Sequence, residues 1–320
     1  MSPTLTHVHF QLTRRCNLNC VFCGQQGRGG ELDGKADRAL GTADFLSLLA
    51  ELDRFAPGIN LTLWGGEPLL FDGFADVANE AYARGFNLSL VTNGTLIDRH
   101  LDLLRHKFRE IFVSVDGPED VHNRVRGAAI YQKVKANLAR LHGGPARVTV
   151  MSVLSPDTIP TIDQAPFGMA ADGVILQELI YLDDADAAQL PPGAGSRWRN
   201  NALAAYPAML AATLEKLKKV EFPLPTVFMP HFTGGTPCRE PGRHLCILFN
   251  GESGSCTDFT DVTFGNVRDI GIAGVWQSAA AAAFRAKVAA GENVYCSHCS
   301  WKNTTETILQ LNTQRTASSS

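Results

Sequence analysis

"RRCNLNCVFCGQQGRGG" (residues 14–30) decides how the rest of the chain is read. It carries Cys16, Cys20 and Cys23 in the spacing C-x3-C-x2-C, three of the eight cysteines of the chain. A tetrahedral zinc site asks for four ligands, and the following "GQQGRGGELDG" offers neither Cys nor His to complete one. Three thiolates are enough for a [4Fe–4S] cluster whose fourth iron stays open to an exogenous ligand. The run comes directly after "HVHFQL" (7–12), an alternating stretch that reads as a strand. The thiols therefore belong at the C-terminal end of a first strand.

Outward from that point, β-branched runs alternate with segments of helical period. Strands are expected at 7–12, 60–64, 87–92, 110–115, 147–154 and 173–180. Helices are expected near 42–54, 72–84, 97–107, 130–142 and 158–171. This alternation predicts a parallel sheet with helices outside, and six such units fall short of a closed eightfold barrel. The expected class is α/β, a partial (β/α)6 barrel or an open sheet, followed by a small C-terminal unit of β-hairpin and one helix, at 275–291. The expected divisions are 1–182 for the barrel, 183–220 for a linker and bridging helix, 221–312 for the C-terminal unit and 313–320 for a disordered tail.

The chain has 320 residues, 45% hydrophobic and 19% charged, with a formal net charge of −3. Its Lys and Arg are scattered, so neither nucleic acid nor a membrane surface is an expected partner. "MSPTLTHVHFQL" lacks the basic and apolar regions of a signal peptide, and no window reaches the roughly 18 apolar residues of a membrane span. Cytoplasm is the expected compartment, where thiols stay reduced and clustered cysteines point to metal.

The three-cysteine run resembles that of the radical SAM superfamily, and further motifs extend the resemblance over about residues 7–180. "WGGEP" (64–68) closes the second strand where that family carries its GGE motif. The resemblance implies that S-adenosylmethionine (SAM) chelates the open iron through its amino and carboxylate groups. It places Phe22 near adenine, lets Gly65 and Gly66 bring backbone to the methionine moiety, and has Glu67 accept a bond from its ammonium. "TNGT" (92–95), with Asn93, ends the third strand, and "VSVDGP" (113–118) ends the fourth. By resemblance Ser114 and Asp116 lie near ribose and methionine, and Arg126 falls where relatives contact the SAM carboxylate. A flavodoxin- or ferredoxin-type electron donor is implied as well.

The remaining cysteines are Cys238, Cys246, Cys256, Cys296 and Cys299. "CREPGRHLCILFNGESGSC" (238–256), "GNVRDIGIAGVWQS" (265–278) and "CSHC" (296–299) resemble the SPASM/twitch extension and its auxiliary [4Fe–4S] cluster. Cys238, Cys256, Cys296 and Cys299 then hold that cluster; a zinc site is the alternative. Cys246 is left over. In "HLCILFNG" (244–251) it shares a strand face with His244 and Asn250, opposite Leu245, Ile247 and Phe249. It is either a small buried hydrophobe or a hydrogen-atom donor to a substrate radical. Glu178 is a candidate for the mouth of the pocket or for a surface ion pair, and His231 and His298 for ligands, proton carriers or structural groups.

Radical SAM relatives of this size include aminoglycoside-biosynthetic epimerases and dehydrogenases, and peptide maturases. The leading expectation is epimerisation of an aminosugar carbon with Cys246 as donor. Oxidation of a secondary alcohol through the auxiliary cluster and peptide maturation follow. Only six residues precede the first strand, which favours an aminosugar over a leader-bearing peptide. An iron–sulfur electron carrier or a structural zinc protein is the non-enzyme alternative.

Overall fold

A computed structural model describes residues 3–23, 39–164, 168–178, 188, 206–229, 238, 240–257, 259–297 and 309–310. Six strands follow the expected order: β1 (His7–Thr13), β2 (Asn60–Gly65), β3 (Asn87–Thr92), β4 (Glu110–Ser114), β5 (Arg147–Leu154) and β6 (Gly173–Glu178). Each alternates. Val8, Phe10 and Leu12, then Leu61 and Leu63, Leu88 and Leu90, and Ile111 and Val113 are buried in one core. The other face of these strands carries His7, His9, Gln11, Thr62, Ser89 and Ser114. A parallel sheet covered by helices on one side only has this pattern, with the second face left for the interior of the barrel.

The covering helices present matching stripes. In α1 (Thr42–Phe55) Phe45, Leu48, Leu49 and Leu52 are buried, and in α2 (Phe74–Ala83) Phe74, Val77, Ala78 and Ala81 are. Both sets follow the i, i+3, i+4, i+7 spacing that puts four side chains on one stripe. A short α3 (Leu101–Lys107) comes next, then α4 (Glu119–Arg126), which the periodicity did not announce, and α5 (Tyr131–Leu141).

Two expected helices differ. Among the described residues of 158–171 there is no α-helix; a 3-10 turn covers Ile159–Gln164 instead. Pro160 removes a backbone donor there, and the Thr158 hydroxyl accepts from Ser155 N at 2.8 Å, bonding that competes with a helical turn. The single helix expected at 275–291 is two, Val267–Gln277 and Ala279–Ala289, and the Ser278 hydroxyl caps the second by accepting from Ala281 N at 3.1 Å.

The strand order is β10-β9-β8-β1-β2-β3-β4-β5-β6-β7-β11. β7 (Thr226–Met229) runs parallel to β6, and β8 (His244–Ile247) parallel to β1. The C-terminal third thus extends the parallel array beyond the six expected units at both edges. An open barrel leaves two rows of unpaired backbone groups, and these strands cover them. β9 (Glu252–Gly254) and β10 (Gly265–Asn266) form antiparallel ladders beyond β8, and β11 (Leu309–Gln310) pairs antiparallel with β7. The fold is a partial α/β barrel with a C-terminal hairpin and helix region. No helix among the described residues is long and apolar enough to cross a membrane.

Candidate active site

The strand ends bring the motifs together. The thiol loop leaves β1 and passes over the turn that ends β2: Gly66 N donates to Thr13 O at 2.9 Å and Glu67 N to Arg15 O at 2.8 Å. The two glycines serve this crossing. A Cβ on Gly66 would stand 2.4 Å from Arg15 O and 2.5 Å from Arg14 O, and one on Gly65 (φ 147°) 2.3 Å from Thr13 O. Only a bare Cα lets the two backbones run so close. In the structure these glycines seat the thiol loop.

Glu67 is fully buried and receives three donors of its own chain. Oε1 accepts from Leu69 N at 3.1 Å and Thr92 Oγ1 at 2.8 Å, and Oε2 accepts from Asn93 N at 2.8 Å. Burial pushes its carboxyl up to about 7, against the pull of these hydrogen bonds. The carboxylate therefore ties the β2 turn to the loop after β3.

That loop reaches the first thiol. The Asn93 side-chain amide donates to Asn17 Oδ1 at 2.9 Å and lies 3.9 Å from Cys16 Sγ, while its Oδ1 accepts from Thr95 N and Oγ1. Asn17 completes the ring by donating to Thr95 Oγ1 at 2.9 Å. Leu18 N also points at Cys16 Sγ, at 3.4 Å. Asn17, Thr92 and Thr95 were not singled out from the sequence. Their signal lay inside the quoted motifs, as an Asn within "CNLNC" and the two threonines of "TNGT".

The second thiol is reached from β4. Asp116 is fully buried; Oδ1 accepts from Val153 N at 3.0 Å, and Oδ2 pairs with Arg126 Nε. Arg126 Nη1 lies 3.7 Å from Cys20 Sγ, and its guanidinium stands 5.3 Å from the centre of the Phe22 ring. Burial works against the Arg126 charge and the Asp116 carboxylate outweighs it, so its proton is held more tightly than usual. His122, in contact with Asp116, is lowered to about 4 by burial and is neutral. Its Nδ1 accepts from Asp116 N at 3.2 Å.

These donors fit anionic sulfur. Burial raises the Cys16 and Cys20 thiols, and the N–H groups aimed at them offset that cost once the sulfurs are thiolates. No three His, Cys, Asp or Glu side chains among the described residues sit close enough to share one metal ion.

Cys238, Cys256 and Cys296 lie half-buried against the main core, and no disulfide joins the described cysteines. Phe259 N donates to Cys256 Sγ at 3.2 Å. Cys299, His231 and His298 lie outside the described residues, as do residues 313–320. Glu178, the last residue of β6, is buried, so it is not a surface carboxylate. Ser114 stands half-buried at the end of β4.

Cys246 faces away from the main core, as the alternation of β8 required. It is 1% exposed and packs with Trp64, Leu248 and Val91. β8 lies between β1 and β9, with Cys246 opposite His9 and Gly254.

The Radical SAM superfamily matches residues 10–164, and an iron–sulfur cluster-binding domain, SPASM, matches residues 238–300. Fe-coproporphyrin III synthase of Methanosarcina barkeri is 33% identical over 125 residues, 38% of this chain and 29% of that protein. Less than a third of that relative's length is thus spanned. Streptococcus suis SuiB, solved with its precursor peptide SuiA, superposes with a TM-score of 0.63 at 14% identity, over 87% of this chain and 65% of its own. The anSMEcpe structure, with bound AdoMet and Cp18Cys peptide, gives 0.63 at 17% identity over 97% and 93%. Domain matches, barrel and converging thiol loop agree: residues 10–164 form a radical SAM domain, and residues 238–300 match a SPASM/twitch iron–sulfur domain.

Proposed function

We propose that Cys16, Cys20 and Cys23 hold the SAM-binding cluster, that Cys238, Cys256, Cys296 and Cys299 hold an auxiliary cluster, and that the enzyme oxidises its substrate at a C–H bond. When bound, the first cluster and SAM supply an electron and a 5′-deoxyadenosyl radical that abstracts hydrogen. The chain's own residues hold the geometry. Gly65 to Glu67 and the Asn93 loop fix Cys16, the Asp116–Arg126 pair fixes Cys20, and Phe22 and Ser114 border the space for SAM.

The observation that carries the oxidative reading is the burial of Cys246. Epimerisation needs an S–H that touches the substrate carbon, and a thiol 1% exposed under Trp64 and Leu248 does not present one. Oxidation asks instead for a one-electron acceptor, which an auxiliary cluster held by Cys238, Cys256, Cys296 and Cys299 would supply, and for release of one proton, and it would leave a product two hydrogens lighter. Epimerisation stays as the second reading because Cys246 lies opposite His9, on the face of β1 turned from the main core. For substrate, a peptide comes first, on the precedent of the peptides held by SuiB and anSMEcpe, and an aminosugar second.

The test is Cys246→Ala in anaerobically reconstituted enzyme, supplied with candidate peptides or aminosugars from neighbouring genes. The oxidative reading expects both clusters, 5′-deoxyadenosine and a product two mass units lighter, as in the parent. Loss of product with 5′-deoxyadenosine retained, and one solvent deuterium incorporated by the parent in D2O, would restore epimerisation.

A further inference from the structure

Arg126 is buried and its guanidinium is turned toward the thiol loop. Its Nε is bound to Asp116, its Nη1 stands 3.7 Å from Cys20 Sγ, and its face lies over Phe22. Asp116 is fixed on its other side by Val153 N at 3.0 Å, and its backbone N–H is fixed on His122 Nδ1 at 3.2 Å. A cation is thus held at one particular cysteine by a fully buried carboxylate.

We propose that Arg126 is a positioning residue that sets the reduction potential of the SAM-binding cluster through Cys20. The inference rests on the reading of Cys16, Cys20 and Cys23 as its ligands. One-electron reduction adds negative charge, which spreads over the irons and the thiolate sulfurs. Hydrogen bonds to those sulfurs and nearby net charge are among the factors that set such potentials. A guanidinium N–H on Cys20 stabilises the reduced form more than the oxidised one and makes the cluster easier to reduce. Asp116 acts in two opposed ways: it aims the guanidinium, and its own charge offsets part of the effect. Solvent screens little here, because both groups are buried. The thiolates differ in consequence: Cys20 meets a full cation, whereas Cys16 meets the neutral donors Leu18 N and Asn93 Nδ2.

The experiment is an anaerobic redox titration of the reconstituted holoenzyme, read by electron paramagnetic resonance. It follows the reduced signal that changes on SAM addition, which separates this cluster from the auxiliary one. Arg126→Gln is expected to lower the reduced-to-oxidised ratio at fixed poise about tenfold, a shift of ~59 mV to more negative potential for one electron. Arg126→Lys keeps the charge and should stay near the parent. Asp116→Asn removes the counter-charge and, with its Oδ1 turned to Arg126 Nε in place of Val153 N, keeps the guanidinium aimed; it should move the midpoint the opposite way from Arg126→Gln. General loosening of the site would move all three in one direction, and that result, or an unmoved midpoint in Arg126→Gln, overturns the inference. If Arg126→Gln does not assemble its cluster, Asp116→Asn decides: an upward shift supports the inference and none refutes it. A parent protein without any SAM-responsive signal would overturn the cluster assignment itself, and the inference with it.

Discussion

Glu67 is a fully buried carboxyl, and Glu67→Gln tests what burial does to it. Burial raises its carboxyl from the ordinary 4.5 to about 7. At 1.36 kcal/mol per pH unit that displacement amounts to about 3 kcal/mol between the fully protonated and fully ionised limits. Because the folded-state value lies above the unfolded one, the folded protein holds more protons in the intervening range. The favourable contribution is complete below pH 4.5 and is lost as pH rises through about 7. Glutamine cannot ionise, so the variant escapes this loss. It keeps an oxygen for Leu69 N and Thr92 Oγ1, but its amide nitrogen meets Asn93 N, whose bond to Oε2 is then gone. An unsatisfied buried donor costs about 1–3 kcal/mol whatever the pH. The parent should therefore be the more stable protein at pH 5, and its advantage should shrink or invert by pH 8. Anaerobic urea unfolding followed by circular dichroism at pH 5, 6.5 and 8 reads both proteins. Parallel profiles, with a constant gap across that range, would refute the burial argument.

Other perturbations follow from the same contacts. Gly66→Ala drives a Cβ into two backbone carbonyls at 2.4 and 2.5 Å; it should cost about 1–3 kcal/mol or more and reduce iron retained at the first site. Iron analysis with thermal melts measures both effects, and unaltered iron and melting would mean the loops have slack. Joint replacement of Cys16, Cys20 and Cys23 by Ala should leave about four of about eight irons per chain and abolish SAM cleavage. Retention of all the iron would remove these residues as ligands.

Much of the site was legible before any coordinates. C-x3-C-x2-C limits the metal by ligand count alone, and the alternation in β1 to β6 reports a sheet with one covered face. Other features were not legible, for a shared reason. The partners of Glu67 lie up to 26 residues away and those of Arg126 as far as 106, brought together by strand register. The helix expected at 158–171 failed differently, because Pro160 and the Thr158 side chain offered the backbone other bonds. For Cys246 the alternation told which way the thiol turns and not what covers it; Trp64 from β2 and Val91 from β3 reach it only in the folded sheet.

By itself, then, the sequence determined the periodic and compositional features: the parallel α/β barrel, the cysteine sets, and the turns at the strand ends. These depend on neighbours within a few residues, which periodicity records. Tertiary structure alone decided that C-terminal strands cover both barrel edges. It decided that Glu67 braces two loops, that Arg126 serves Cys20, and that Cys246 is shut in. Each of these depends on which distant side chain occupies the adjoining strand end, and burial then turns that adjacency into shifted proton affinities and fixed charges.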